Sequence, residues 1–212
     1  MEMLLSEIAR SMPGKLNSVV KAVMNQLGIA DPNEAIWHEK KKGIIRFTLP
    51  PTSGITGPQW VMRCEKSGIV INWRVKEKLL SGDQFMPTKG VINDVVVLRG
   101  SLFPAGKPST QDIFASAHTG EFTKGEKLYD PNVEVAFLIR EMITREEIKK
   151  MGLSTIIVMH ELFEIVNVVL LSVDGFNVGE EYPHLKLREG NYLRRWDRKC
   201  GFAFVANSFP RN

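Results

Sequence analysis

An α+β protein is expected: an N-terminal helix packed on a mostly antiparallel β-sheet, with one strand–helix–strand crossover. Three observations in the sequence carry this reading. Val133, Val135, Phe137 and Ile139 alternate with Glu134, Ala136, Leu138 and Arg140, the period-2 pattern of a strand. Thr144 and Glu147 then form a capping box, each side chain satisfying a backbone N–H that the first helical turn leaves orphaned, and Gly152 ends that helix. Residues 153–159 complete the unit as a mostly β-branched apolar run, as a buried strand requires.

The remaining elements are taken in chain order. In residues 3–28, Leu16, Val19, Val20, Val23 and Leu27 recur at helical spacing, with Pro13-Gly14 dividing the region and Gly28 ending it. Residues 35–39 and 43–49 read as a hairpin with Lys40, Lys41 and Lys42 at its tip, stopped by Pro50-Pro51 because proline cannot donate to a strand ladder. Trp60, Met62 and Cys64 alternate before the turn Lys66-Ser67-Gly68, and Ile69, Ile71, Trp73 and Val75 return, so a second hairpin is expected. Residues 76–80 form a short helical link, and residues 91–99 another strand ended by Gly100. A short helix is expected at 109–117, with Ile113 and Phe114 inward. Strands are expected at 165–171, 186–188, 191–196 and 200–206, with a turn at Asp174-Gly175.

Length and composition set the bounds. At 212 residues, with 43% hydrophobic and 25% charged residues, the chain has the balance of an ordinary globular protein and needs no disulfide or metal staple. One domain over residues 1–212 is the expectation; the Pro- and Gly-rich stretch 104–130 is where a boundary or mobile loop would fall. No segment approaches a membrane span, and the N-terminus carries Glu2 and Glu7 where a signal peptide is basic. Cys64 and Cys200 are expected to be free, buried thiols in a reducing cytoplasm. The net charge of +4 permits an anionic partner without demanding one.

Chemistry-bearing patterns are sparse. There is no Walker A loop, no Gly-x-Gly-x-x-Gly and no nucleophile elbow, so no cofactor is expected. His160, Glu161 and Glu164 invite a metal-assisted hydrolase reading, but the zincin motif needs a second histidine where Glu164 stands. The strongest functional signal is basic and aromatic: Lys186, Arg188, Tyr192, Arg194, Arg195, Trp196, Arg198 and Lys199. Cations bind phosphates and exposed rings stack on unpaired bases, so RNA or single-stranded DNA is the partner such a surface would take. Lys40, Lys41, Lys42 and Arg46 would extend that surface if the first hairpin lies beside it. The competing reading is a solvated face with Tyr192 and Trp196 buried.

Pro131-Asn132-Val133-Glu134, Leu138-Ile139-Arg140-Glu141, Met151-Gly152-Leu153 and Met159-His160-Glu161, with Trp196-Asp197-Arg198 before Gly201-Phe202-Ala203-Phe204, resemble a group of bacterial proteins of unassigned function from reduced-genome lineages. The resemblance covers about residues 95–205 and implies a bacterial cytosolic protein without implying an activity. It departs after Glu161, where the group has a proline and a polar loop and this chain is apolar. The sequence therefore points to a binding or assembly protein without chemistry of its own. A hydrolase at His160, Glu161 and Glu164, and a structural subunit that associates through its N-terminal helices, are the alternatives.

Overall fold

The computed structural model describes residues 36–81, 85–104, 106–160, 169–174, 184–189 and 193–206. The chain divides into two units, residues 1–36 and 37–212, and every strand and helix named below belongs to the second. The helices expected at 3–28, and the proposed self-association through them, lie outside the described residues.

The α+β class holds. The strands are β1 (His38–Lys41), β2 (Ile44–Thr48), β3 (Val70–Ile71), β4 (Asp94–Arg99), β5 (Thr155–Val158), β6 (Val169–Asp174), β7 (His184–Glu189) and β8 (Cys200–Val205). They form one sheet in the order β1-β2-β4-β8-β5-β6-β7-β3. Pairing is antiparallel except for β5 with β8 and β3 with β7. The helices are α1 (Gly57–Lys66), α2 (Trp73–Ser81), α3 (Thr110–Thr119), α4 (Glu134–Met142) and α5 (Arg145–Lys150).

The expected crossover is corrected. Residues 134–142 are a helix, so the 131–160 stretch runs helix, helix, strand. The physical reason is burial on every side. Glu134 through Arg140 are all buried, and Val133, Val135, Ala136, Phe137, Leu138 and Ile139 all enter one hydrophobic cluster. With polar and apolar positions buried alike, the alternation of residues 133–140 reads as a strand, although Glu134 and Glu141, seven apart on one side, keep a helical period. Glu, Ala, Leu, Arg and Met, all good helix formers, supply the local preference. Asn132 accepts a hydrogen bond from the Glu134 N–H through Oδ1 at 3.1 Å and so satisfies a first-turn donor.

The second hairpin is likewise a helix with a two-residue strand after it. Thr56 N–H donates to Gln59 Oε1 at 2.9 Å, and Pro58 sits in the first turn, where its missing N–H costs nothing. Trp60, Val61 and Cys64 then face inward. The Trp60 ring stacks on Phe137 with centroids 5.0 Å apart. The expected strand at 191–196 is also absent over its described part: residues 193–196 are irregular apart from one bridge between Ser109 and Arg195.

Other elements match their sequence signals. The Thr144–Glu147 capping box forms, with Glu147 N–H donating to Thr144 Oγ1 at 3.2 Å and Thr144 N–H to Glu147 Oε2 at 2.9 Å. Gly152 takes φ +70° after it, the left-handed conformation that glycine adopts without a Cβ clash. The stretch 104–130 contributes Ile113, Ala117 and Leu128 to a second cluster with Phe202, Phe204 and Trp196. Helix α3 there is capped by Ser109 and Asp112, and hydrogen bonds from the Ser109 hydroxyl and N–H hold the Asp112 carboxyl below its usual range. Two clusters thus cover the two faces of the sheet: Val95 and Val97 point into one, Val96 and Leu98 into the other.

Candidate nucleic-acid interface

The register of the sheet gathers basic segments that are far apart in sequence. The β1–β2 turn closes at Lys42-Gly43, and Gly43 C=O accepts from the Arg99 N–H at 2.9 Å. Arg99 at the end of β4 pairs with Gly201 in β8. The residues that lead into β8, Arg198 and Lys199, therefore emerge beside the end of β4. Ser154, entering β5, donates its N–H to Lys199 C=O at 2.9 Å. Gly152 comes just after α5, whose last turn carries Lys149 and Lys150, and a Cβ built at Gly152 would lie 3.9 Å from Arg99 Nη1. Lys42, Arg99, Lys149, Lys150, Arg198 and Lys199 thus share one end of the sheet.

A second basic segment flanks this end on the α3 side. Residues 194–196 run along residues 107–110: Thr110 N–H donates to Arg194 C=O at 3.1 Å, and Trp196 N–H to Pro108 C=O at 2.9 Å. Arg195 Nη1 donates to Lys107 C=O at 3.0 Å, and Arg198 Nη2 to Ser101 C=O at 3.2 Å. The Arg194 guanidinium lies over the Trp196 ring, 4.5 Å from its centroid, a cation–π contact. Lys42, Lys107, Lys150, Arg195, Arg198 and Lys199 are exposed. Of the carboxylates nearby, Glu39 pairs with Arg99 at 3.2 Å, Asp112 accepts from Ser109 and Asp197 accepts from the Lys199 N–H at 2.8 Å, while Asp174 ends β6 opposite Thr155 and Glu146 is exposed on α5.

Gly100 makes this arrangement sterically feasible. A Cβ there would stand 2.8 Å from Asp197 O and 3.0 Å from Arg198 Cα. Only a residue without a side chain lets the 197–198 backbone come so close.

The sequence-derived set is thus split. Arg194, Arg195, Arg198 and Lys199 belong to the gathered surface. Trp196 does not present a ring to a base: it is 4% exposed and its indole N–H donates to Thr110 Oγ1 at 2.9 Å. Lys186 and Arg188 sit in β7 opposite Ser172 and Leu170. That strand is three positions from β8, about 14 Å across the sheet. Tyr192 lies outside the described residues. From the first hairpin, Lys41 Nζ donates to Phe122 C=O at 3.0 Å and Arg46 pairs with Glu126. Sequence reasoning missed Arg99, Lys107, Lys149 and Lys150, because only strand register brings them to the others.

Of the hydrolase set, His160 comes after β5 and is fully buried, while Glu161 and Glu164 lie outside the described residues. Among the described residues, no three His, Cys, Asp or Glu side chains are grouped to hold a metal ion. Among them too, no helix is long and apolar enough to cross a membrane. Comparison with known protein families, curated proteins and solved structures finds no match to the chain.

Proposed function

We propose that the protein binds nucleic acid through its phosphate backbone, using the basic end of the sheet. The observation that carries the reading is the convergence of Lys42, Arg99, Arg198 and Lys199 through the β2–β4–β8 register. Lys42, Arg198 and Lys199 are exposed there, with Arg99 half-buried against Glu39, and exposed cations release counterions when they neutralise phosphates, which is the main source of sequence-independent affinity. The inward turn of Trp196 supports backbone contact over base stacking. A cytoplasmic setting accords with the free buried thiols Cys64 and Cys200.

Fluorescence anisotropy of the full chain with labelled RNA and DNA, at stepped salt, tests this. Binding should weaken log-linearly with salt. The triple variant Arg195→Ala, Arg198→Ala, Lys199→Ala should flatten the slope by about 0.7 to 0.9 for each phosphate that it no longer neutralises. Absence of binding at about 50 mM salt refutes the reading, as does a triple variant with unchanged slope.

A further inference from the structure

We infer that the preferred ligand is a double helix, gripped by phosphates on both rims of a groove, with single strands held more weakly. This rests on the proposed nucleic-acid role and specifies the ligand of the same surface.

Three features point this way. The first is width. Lys42 lies in the turn before β2, Arg99 ends β4 and Lys199 leads into β8, beside three successive strands, while Lys150 ends α5 on one face of the sheet. Two strand spacings make about 10 Å, and the lysine side chains at either end extend that reach to a major groove about 12 Å wide. The second is two-sidedness. Lys149 and Lys150 end α5, whose Ile148 packs into the cluster on one face of the sheet, while Lys107, Arg194 and Arg195 flank Trp196 in the cluster on the other. Cations therefore lie on both sides of the strand ends, where a duplex presents two phosphate rows. The third is rigidity. Arg195 and Arg198 are tied to backbone carbonyls and Arg194 to an indole ring, so their positions are set before binding. A preset array suits a ligand whose phosphates are themselves fixed. Single-strand binders instead rely on stacking platforms, and the tryptophan within this basic segment is turned into the core.

The test compares a fluorescein-labelled mixed-sequence duplex with either of its strands alone, titrated with the full chain at equal salt. The duplex should bind about tenfold tighter, with a salt slope of about −0.9 per neutralised phosphate against −0.7 for the strand. Lys42→Ala, in the β1–β2 turn, and Lys150→Ala, at the end of α5, should each weaken duplex binding about threefold. Both residues are exposed, so folding is spared. Equal or tighter binding of the single strand overturns the duplex assignment and leaves the nucleic-acid role standing. Duplex binding unmoved by both lysine variants also overturns the assignment. Failure of both ligands to bind removes the role itself.

Discussion

The two faces of the sheet are covered in different ways. On one face, α4 is buried all round and packs its Phe137 flat against Trp60 of α1. On the other, α3 and the segment after it lie over an edge-to-face set of rings, Phe103 with Phe202, Phe114 with Phe204 and Trp196 with Phe202. Each face holds one tryptophan with an arginine over its ring, Arg63 at 5.2 Å from the Trp60 centroid and Arg194 at 4.5 Å from that of Trp196. The rest of their surroundings differs. Trp60 stacks on Phe137 among apolar neighbours, and its arginine is paired with Glu141 at 2.6 Å. Trp196 is also anchored by its hydrogen bond to Thr110, within a segment that carries Arg195 and Arg198 to the surface. The arginine on the first face is exposed but paired with a carboxylate, whereas those on the second are held by backbone carbonyls and an indole ring.

Substitutions on each face test the contrast. Phe137→Ala removes the ring stacked on Trp60 and leaves a cavity around a helix that cannot collapse outward. It should cost about 3–5 kcal/mol in denaturant unfolding. The thiol of Cys64, on the same face, is pushed up to about 12 by burial, with the Glu141 charge adding to it. The folded state then keeps a proton that the unfolded chain loses near pH 9, so stability is full below pH 9 and falls as pH rises from there toward 12. Native alkylation of Cys64 at about pH 8 should be roughly a thousandfold slower than in denaturant. Equal rates would place that thiol outside the core.

On the other face the expected effects are smaller. Thr110→Val strands the Trp196 N–H and should cost about 1–3 kcal/mol, read by thermal unfolding. It should also loosen Arg194 and Arg195 and lower nucleic-acid affinity, which Phe137→Ala should not do at temperatures where the protein stays folded. Gly100→Ala overpacks this site and should cost about 1–3 kcal/mol in thermal unfolding. It alters no charge, yet its methyl meets Asp197 O and Arg198 Cα. Duplex affinity should fall about threefold through displacement of Arg198. Unchanged affinity would show that the position of Arg198 is immaterial.

Parts of this were readable without coordinates. The capping box at Thr144 and Glu147, the stop at Gly152, the hairpin tip at Lys42 and the strands at 94–99 and 200–205 rest on neighbours in sequence. Thr56 and Gln59 carried a comparable helix-start signal before α1, but the alternation of Trp60, Met62 and Cys64 masked it. The basic run 194–199 was visible as composition; its tryptophan pointed to stacking, although the ring is buried.

Fold class, caps and the identity of five of the nine gathered cations, Lys42, Arg194, Arg195, Arg198 and Lys199, were settled locally, because each depends on interactions within a few residues. The helix at 134–142 emerges only once the chain is packed. A segment buried from Glu134 to Arg140, with Phe137 stacked on Trp60, is told from a strand by its packing and not by its alternation. The meeting of Lys42 with Arg99 and Lys199 is likewise a product of the folded chain. Strand register is fixed by hydrogen bonds between distant segments, and no local pattern encodes which strands will meet.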